Sequence, residues 1–112
     1  MGGLKALFHI DEIEKWDLLL ANVKNLLEST DDQAIIEVVA NSKGVLGLKK
    51  DFKLDYIIEK QYNRGVRFVV CNNSLKNIGI SKDEILPIVE IIEAGVKEII
   101  EKQQEGYGYI KP

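Results

Sequence analysis

The chain has 112 residues, a length that favours one folded domain, expected here over residues 1–112. Its formal net charge of −3 argues against a nucleic-acid partner, because phosphate binding needs clustered lysine and arginine. No apolar run approaches the roughly 20 residues that span a bilayer, and no signal-peptide pattern is present. We therefore expect no membrane partner, and a cytoplasmic protein whose single cysteine stays reduced.

The first part of the chain alternates between strand-like and helix-like patterns of apolar residues. The run LKALFHI (4–10) has the length of a strand, and Asp11 with Glu14 forms a capping-box pattern for a following helix. Apolar residues then recur at three- and four-residue steps over 13–27, which predicts a helix with one apolar stripe. The β-branched run AIIEVVA (34–40) predicts the second strand.

The same alternation continues to the end of the chain. Three more strands are predicted: VRFVV (66–70), IVEII (88–92) and YGYI (107–110). Two helices that end at glycines are predicted: 54–62 before Gly65, and 96–103 before Gly106. Shorter helical segments are predicted within the loop 41–51, directly after Cys71, and at a second capping box from Ser81 to Glu84.

Strands that are apolar nearly throughout and alternate with helices indicate a sheet buried on both faces. We therefore predict an α/β fold with three layers, α/β/α, around a mainly parallel five-stranded sheet. The local pattern leaves the strand order open. In an open parallel sheet, ligands bind beyond the carboxyl ends of the strands, so the residues that leave those ends are the candidates for a site.

Polar residues and the only histidine and cysteine of the chain lie at these strand ends. The candidates at the predicted rim are His9, Asn41, Ser42, Gly44, Cys71, Asn72, Asn73 and Ser74. Asp11 is interpreted as a helix cap rather than a partner of His9. The loop around Gly44 lacks the spacing of a phosphate-binding loop, so a plain turn is favoured there. One histidine and one cysteine cannot supply a conventional zinc site, and we expect neither a metal nor a cofactor.

Cys71 has a physical reason to be reactive. A thiol just before a helix lies near the positive end of the helix dipole and its free N–H groups, which favour the thiolate. Residues 72–74 are good capping residues, which is consistent with a helix that starts there. A cysteine at a strand end is also a small apolar residue that packs well in a core. These two interpretations stay open, as does the choice for His9 between supporting a thiolate and a structural role.

The order and spacing of several short motifs resemble the DsrE/DsrF-like family, especially its small stand-alone members. The motifs are LFHIDE, IEVVANSKGV, GVRFVVCNNSLKNIGI and the ending IIEAGVKEIIEKQQEGYGYIKP. The resemblance implies a parallel three-layer domain that assembles into homo-oligomers, and a link to sulfur metabolism. In sulfur-relay members, a cysteine at the position of Cys71 accepts sulfur as a persulfide and passes it to a partner protein.

The resemblance therefore implies a sulfur-carrier or sulfurtransferase-like protein that uses Cys71. Because the chain has no second cysteine, the donor and acceptor would be another protein or a small thiol. The alternative is a non-catalytic module of the same fold, which binds a small molecule or forms an oligomer and in which Cys71 only shapes a rim pocket. A nucleotide or flavin binder is a weaker third option. We also expect the segment from Tyr107 to Tyr109 near a subunit contact, with Cys71 close to a groove shared between subunits.

Overall fold

The computed structural model describes residues 3–112 and contains a five-stranded sheet. The strands are β1 (Lys5–Ile10), β2 (Ile35–Ala40), β3 (Arg67–Cys71), β4 (Glu90–Ile92) and β5 (Gly108–Ile110). The helices are α1 (Trp16–Ser29), α2 (Asp55–Asn63), α3 (Asn72–Ile78) and α4 (Gly95–Gln104). The strand order is β4-β3-β2-β1-β5, and every neighbouring pair is parallel. The predicted α/β fold with a parallel sheet is confirmed.

The two faces of the sheet carry cores of different size. One face presents residues such as Phe8 and Phe68 to the larger core, which Trp16 of α1 and the apolar residues of α2 and α3 complete. The other face presents a smaller set of apolar side chains to α4: Leu7, Val39 and Val69. Successive side chains of a strand point to opposite faces, and this alternation lets both faces be buried. Helices on both faces give the three predicted layers.

The segment after β2 is a 3-10 helix, Ser42–Leu48, that packs directly against the core. An added Cβ atom at Gly44 would overlap the carbonyl oxygen of Ile10, and one at Gly47 would overlap the indole ring of Trp16. The indole N–H of Trp16 donates to the Gly44 carbonyl at 2.9 Å. The predicted helical turn is therefore confirmed, and it is longer than expected because two glycines let it approach β1 and Trp16 closely.

The predicted capping box at Asp11 is wrong, whereas the one at Ser81 is confirmed. A 3-10 turn, Ile13–Lys15, precedes α1, and the residue before that turn makes no side-chain capping bond. Asp11 instead pairs with Lys111 at 3.3 Å. At the second site the Ser81 N–H donates to the Glu84 carboxylate at 2.9 Å, and the Ser81 hydroxyl accepts from the Asp83 N–H at 3.3 Å. Both ends of the capping box are therefore satisfied at Ser81, and neither is satisfied at Asp11.

The two longer helices of the second half end as predicted. Gly65 follows α2 with φ of +100°, and Gly106 follows α4 with φ of +97°, a backbone conformation that favours glycine. β4 is shorter than predicted, because the Val89 N–H turns back to the Leu86 carbonyl at 3.0 Å. Within residues 3–112, no helix combines the length and the apolar character that crossing a membrane requires.

Candidate functional site

Cys71 lies at the carboxyl edge of the sheet, where two helices begin. It is the last residue of β3, it directly precedes α3, and its side chain is 6% exposed. By strand alternation the side chain lies on the same face as Val69, which is the face that α4 covers. A Cβ atom added at Gly95, the first residue of α4, would lie 3.3 Å from the Cys71 Cβ. The amino ends of α3 and α4 therefore both adjoin the thiol.

The surroundings of Cys71 favour its thiolate although the side chain is buried. Burial is the largest single influence, and it raises the pKa of the thiol. Four hydrogen-bond donors act in the opposite direction: the Ser74 hydroxyl and the backbone N–H groups of Gly95, Ser74 and Asn73. Together they outweigh burial and hold the pKa of Cys71 below its ordinary value of 9.0. The Asn73 N–H also donates to the Glu93 carbonyl at 3.3 Å, so this N–H stabilises the thiolate less than an unshared donor would.

Ser42 orients the strongest of these donors. The Ser42 N–H donates to the Ser74 hydroxyl oxygen at 2.8 Å, which leaves the Ser74 proton free for the Cys71 sulfur. Ser42 adopts φ of +51°, in the left-handed region that serine rarely occupies. Backbone in sparsely populated regions is concentrated at functional sites. Two of the predicted rim residues, Ser42 and Ser74, are thus brought together at Cys71.

His9 does not contact Cys71, because β2 lies between β1 and β3. The His9 Nε2 lies 2.9 Å from the Asn41 Oδ1, and its Nδ1 lies 2.5 Å from the Tyr109 hydroxyl. The Asn41 oxygen can only accept, so the neutral ring carries its proton on Nε2 and accepts from Tyr109 at Nδ1. Asn41 directly follows β2 and therefore links the histidine to the neighbourhood of the cysteine.

The remaining predicted rim residues have other places. Asn72 is the first residue of α3, as expected for a helix that starts after Cys71, but no side chain caps this helix. The Asn73 side chain is exposed, and only its backbone takes part at the thiol. Gly44 is buried, and its carbonyl bonds to Trp16. Among residues 3–112, no group of three or more histidine, cysteine or acidic side chains is arranged to hold a metal ion.

A cluster of charged residues around the buried Glu37 lies on the face of the sheet that carries Cys71. Arg67, four residues before Cys71 on β3, contacts Glu37 at 2.6 Å, Glu98 at 3.1 Å and Glu90 at 2.5 Å. Burial and a hydrogen bond to Glu98 raise the pKa of Glu37 to about 8, although Arg67 acts against them. That hydrogen bond also lowers the pKa of Glu98. The two carboxyl groups therefore share one proton near neutral pH.

This cluster holds the start of α4 against the sheet. Glu98 lies in the first turn of α4, three residues after Gly95, whose backbone N–H helps to lower the pKa of Cys71. Neither this cluster nor the roles of Gly95 and Tyr109 were predicted from the sequence. The available signal was a charged residue inside each of two otherwise apolar strands, IIEVVA and RFVVC.

Comparisons with known proteins agree with this fold. The sequence profile described as the DsrE/DsrF-like family matches residues 17–112. Protein MTH1491 of unknown function from Methanobacterium thermoautotrophicum has 37% identity and a TM-score of 0.92, over 97% of this chain and 99% of that chain. The ychN protein from E. coli has 14% identity and a TM-score of 0.78 over 100% of both chains. Protein BT1422 from Bacteroides thetaiotaomicron has 13% identity and a TM-score of 0.76, over 96% of this chain and 94% of that chain.

The last two similarities concern the fold alone, given their low identity. No curated protein matches this chain in sequence.

Proposed function

The chain belongs to the DsrE/DsrF-like family, which is associated with sulfur relay, and we propose that it carries sulfur on Cys71 as a persulfide. The observation that carries the proposal is the set of donors around Cys71, which favours the thiolate although the thiol is buried. A structural cysteine needs no such donors. The thiolate, not the thiol, is the nucleophile in sulfur exchange.

Two exchange steps complete a cycle without net oxidation. The Cys71 thiolate attacks the outer sulfur of a donor persulfide, R–S–SH. A new S–S bond forms on Cys71, the donor's S–S bond breaks, and R–S⁻ leaves. In the second step an acceptor thiolate attacks the outer sulfur of the Cys71 persulfide and takes it away, which returns Cys71 to the thiolate.

The donor and the acceptor are separate molecules in this proposal. The sequence contains one cysteine, so no second thiol of the same chain can resolve the persulfide. A partner protein or a small thiol fills both roles, and a reducing compartment such as the cytoplasm keeps Cys71 available. The donors from α3 and α4 stabilise the Cys71 thiolate that starts the first step and is restored by the second.

Incubation with glutathione persulfide, followed by intact-protein mass spectrometry, tests the proposal. We expect wild-type protein to gain the mass of one sulfur atom and Cys71→Ser to gain none. Ser29→Ala, a change of an exposed serine on α1, is the matched control and should load as the wild type does. Equal labelling of the wild type and Cys71→Ser would contradict sulfur carriage by this residue.

A specific observation also favours assembly of several copies. Val96 and Ile100 lie one turn apart on α4 and are 63% and 51% exposed. The same helix begins beside the Cys71 thiol. Tyr109 and Ile110 on the edge strand β5 are 41% and 36% exposed. We propose that a second copy of the chain covers these apolar residues, which would place Cys71 near a groove between subunits.

Sedimentation at micromolar concentration tests the assembly. We expect a mass of at least two chains for the wild type and a smaller mass for the double variant Val96→Glu, Ile100→Glu. A wild-type monomer would contradict the assembly. A stable oligomer whose Cys71 neither loads sulfur nor reacts with alkylating reagents would favour the non-catalytic assembly module instead.

A further inference from the structure

A chain of hydrogen bonds runs from the edge strand of the sheet toward Cys71. It starts at the Tyr109 hydroxyl, passes through both ring nitrogens of His9 and ends at the Asn41 Oδ1. The strand order places His9 and Cys71 on opposite sides of β2, and Asn41 directly follows β2. Asn41 therefore lies between His9 and Cys71, and its amide oxygen is the atom that contacts the histidine.

Asn41 and Cys71 border the same small space at the start of α4. A Cβ atom added at Gly95 would lie 3.3 Å from the Cys71 Cβ and 3.5 Å from the Asn41 Cβ. Since residue 95 has no side chain, this space stays open between the two residues. An atom attached to the Cys71 sulfur, at an S–S bond length of about 2 Å, can therefore come close to Asn41.

The amide nitrogen of Asn41 has no role at the resting thiol. The donors that lower the pKa of Cys71 are the Ser74 hydroxyl and three backbone N–H groups, and Asn41 is not among them. Within residues 3–112, no protein acceptor takes a hydrogen bond from the Asn41 nitrogen, whereas its oxygen is engaged. The Asn41 nitrogen is thus a half-buried donor without an acceptor, and the nearby Cys71 thiolate is stabilised by other groups. This nitrogen is therefore available to an atom that is added to the Cys71 sulfur.

Building on sulfur carriage by Cys71, we infer that the Asn41 amide nitrogen binds the outer sulfur of the Cys71 persulfide. His9 and Tyr109 are positioning residues for this contact. The outer sulfur is anionic in the loaded state, and an N–H donor stabilises it without any change of covalent bonds. Asn41 therefore stabilises the loaded state of the carrier and not the unloaded one.

The tautomer of His9 decides which way the amide faces. An asparagine amide can rotate and exchange its oxygen and nitrogen, so its orientation follows its hydrogen-bond partners. A phenol hydroxyl is a stronger donor than acceptor, so Tyr109 donates to Nδ1 and the ring proton lies on Nε2. The Nε2–H then donates to the Asn41 oxygen. Without the Tyr109 hydroxyl, the ring can place its proton on either nitrogen, and both amide orientations become available.

The experiment measures the loaded fraction of Cys71 at a fixed ratio of glutathione persulfide to glutathione, by intact mass after equilibration. Asn41→Ala should lower the ratio of loaded to unloaded protein about tenfold, the size expected for one lost hydrogen bond to a charged group. Tyr109→Phe should lower it about twofold, because one of two orientations remains productive. Asn25→Ala, an exposed asparagine on α1, is the matched control and should leave the ratio unchanged.

A second readout separates this role from a structural one. The alkylation rate of unloaded Cys71 against pH should be the same in Asn41→Ala and Tyr109→Phe as in the wild type, since neither side chain contacts the resting thiolate. Equal loading of the wild type and both variants would overturn the role of Asn41 and leave sulfur carriage standing. Failure of the wild type to load would refute the carrier function and this inference with it. If Asn41→Ala fails to fold, the exposed Tyr109→Phe decides the question alone.

Discussion

Replacing Glu37 by glutamine should change how the stability of the protein depends on pH. Glu37 is 1% exposed, and one of its carboxyl oxygens contacts Arg67 at 2.6 Å. Burial and the hydrogen bond to Glu98 raise the pKa of Glu37 from its ordinary value of 4.5 to about 8. Between these values the folded protein keeps a proton that the unfolded chain has released.

The direction of the effect follows from that difference in bound protons. As the pH rises from 4.5 to about 8, the free energy of unfolding falls, by at most about 1.4 kcal/mol for each pH unit. The full window sets an upper limit of roughly 5 kcal/mol. Because relaxation around the cluster reduces the cost of the second charge, we expect a loss of roughly 2–4 kcal/mol. The lowered pKa of Glu98 acts with the opposite sign and only at lower pH.

Glutamine mimics the protonated carboxyl at every pH, since it can accept from Arg67 and donate to Glu98. Glu37→Gln should therefore be about as stable as the wild type at pH 5 and roughly 2–4 kcal/mol more stable at pH 8. Urea unfolding followed by circular dichroism at several pH values measures this difference. Glu90→Gln, which removes an exposed partner of the same arginine, should keep the wild-type pH dependence. The reasoning is refuted if Glu37→Gln also keeps it.

Two further predictions concern the packing and the thiol. Gly47→Ala should lower the free energy of unfolding by at least about 2 kcal/mol, because the added methyl overlaps the ring of Trp16. Gly108→Ala is the control and should cost little, because the nearest atom to its added methyl is 3.7 Å away. Thermal unfolding of both variants measures the difference. Ser74→Ala should raise the pKa of Cys71, because the largest of the stabilising hydrogen bonds is lost; an unchanged alkylation profile against pH would contradict that assignment.

The positions of most elements could be predicted from the sequence because strands and helices have different apolar periods. The predicted strands 4–10 and 34–40 correspond to Lys5–Ile10 and Ile35–Ala40. Local hydrogen bonds shortened β4, since its predicted first residues form a turn instead. The two capping-box patterns show the limit of this approach. They look alike in sequence, but Asp11 has a competing partner 100 residues away in Lys111.

The candidate site depended on contacts between distant segments, which a local pattern does not contain. The carboxyl ends of the strands were the right place to look, and Ser42, Ser74 and Cys71 do meet there. Strand order could not be predicted, so neither the separation of His9 from Cys71 nor the position of Asn41 between them was foreseen. The same limit applies to the Gly95 donor, because it depends on how α4 packs on the sheet.

The pKa of the Cys71 thiol tests the central claim most directly, because the loading step starts from its thiolate. The rate of alkylation by iodoacetamide against pH gives this value, with Cys71→Ser as the blank. We expect the pKa to lie below the ordinary value of 9.0, since the donors from Ser74 and Gly95 outweigh burial. A pKa at or above 9.0 would show that burial prevails, and would contradict Cys71 as a sulfur carrier.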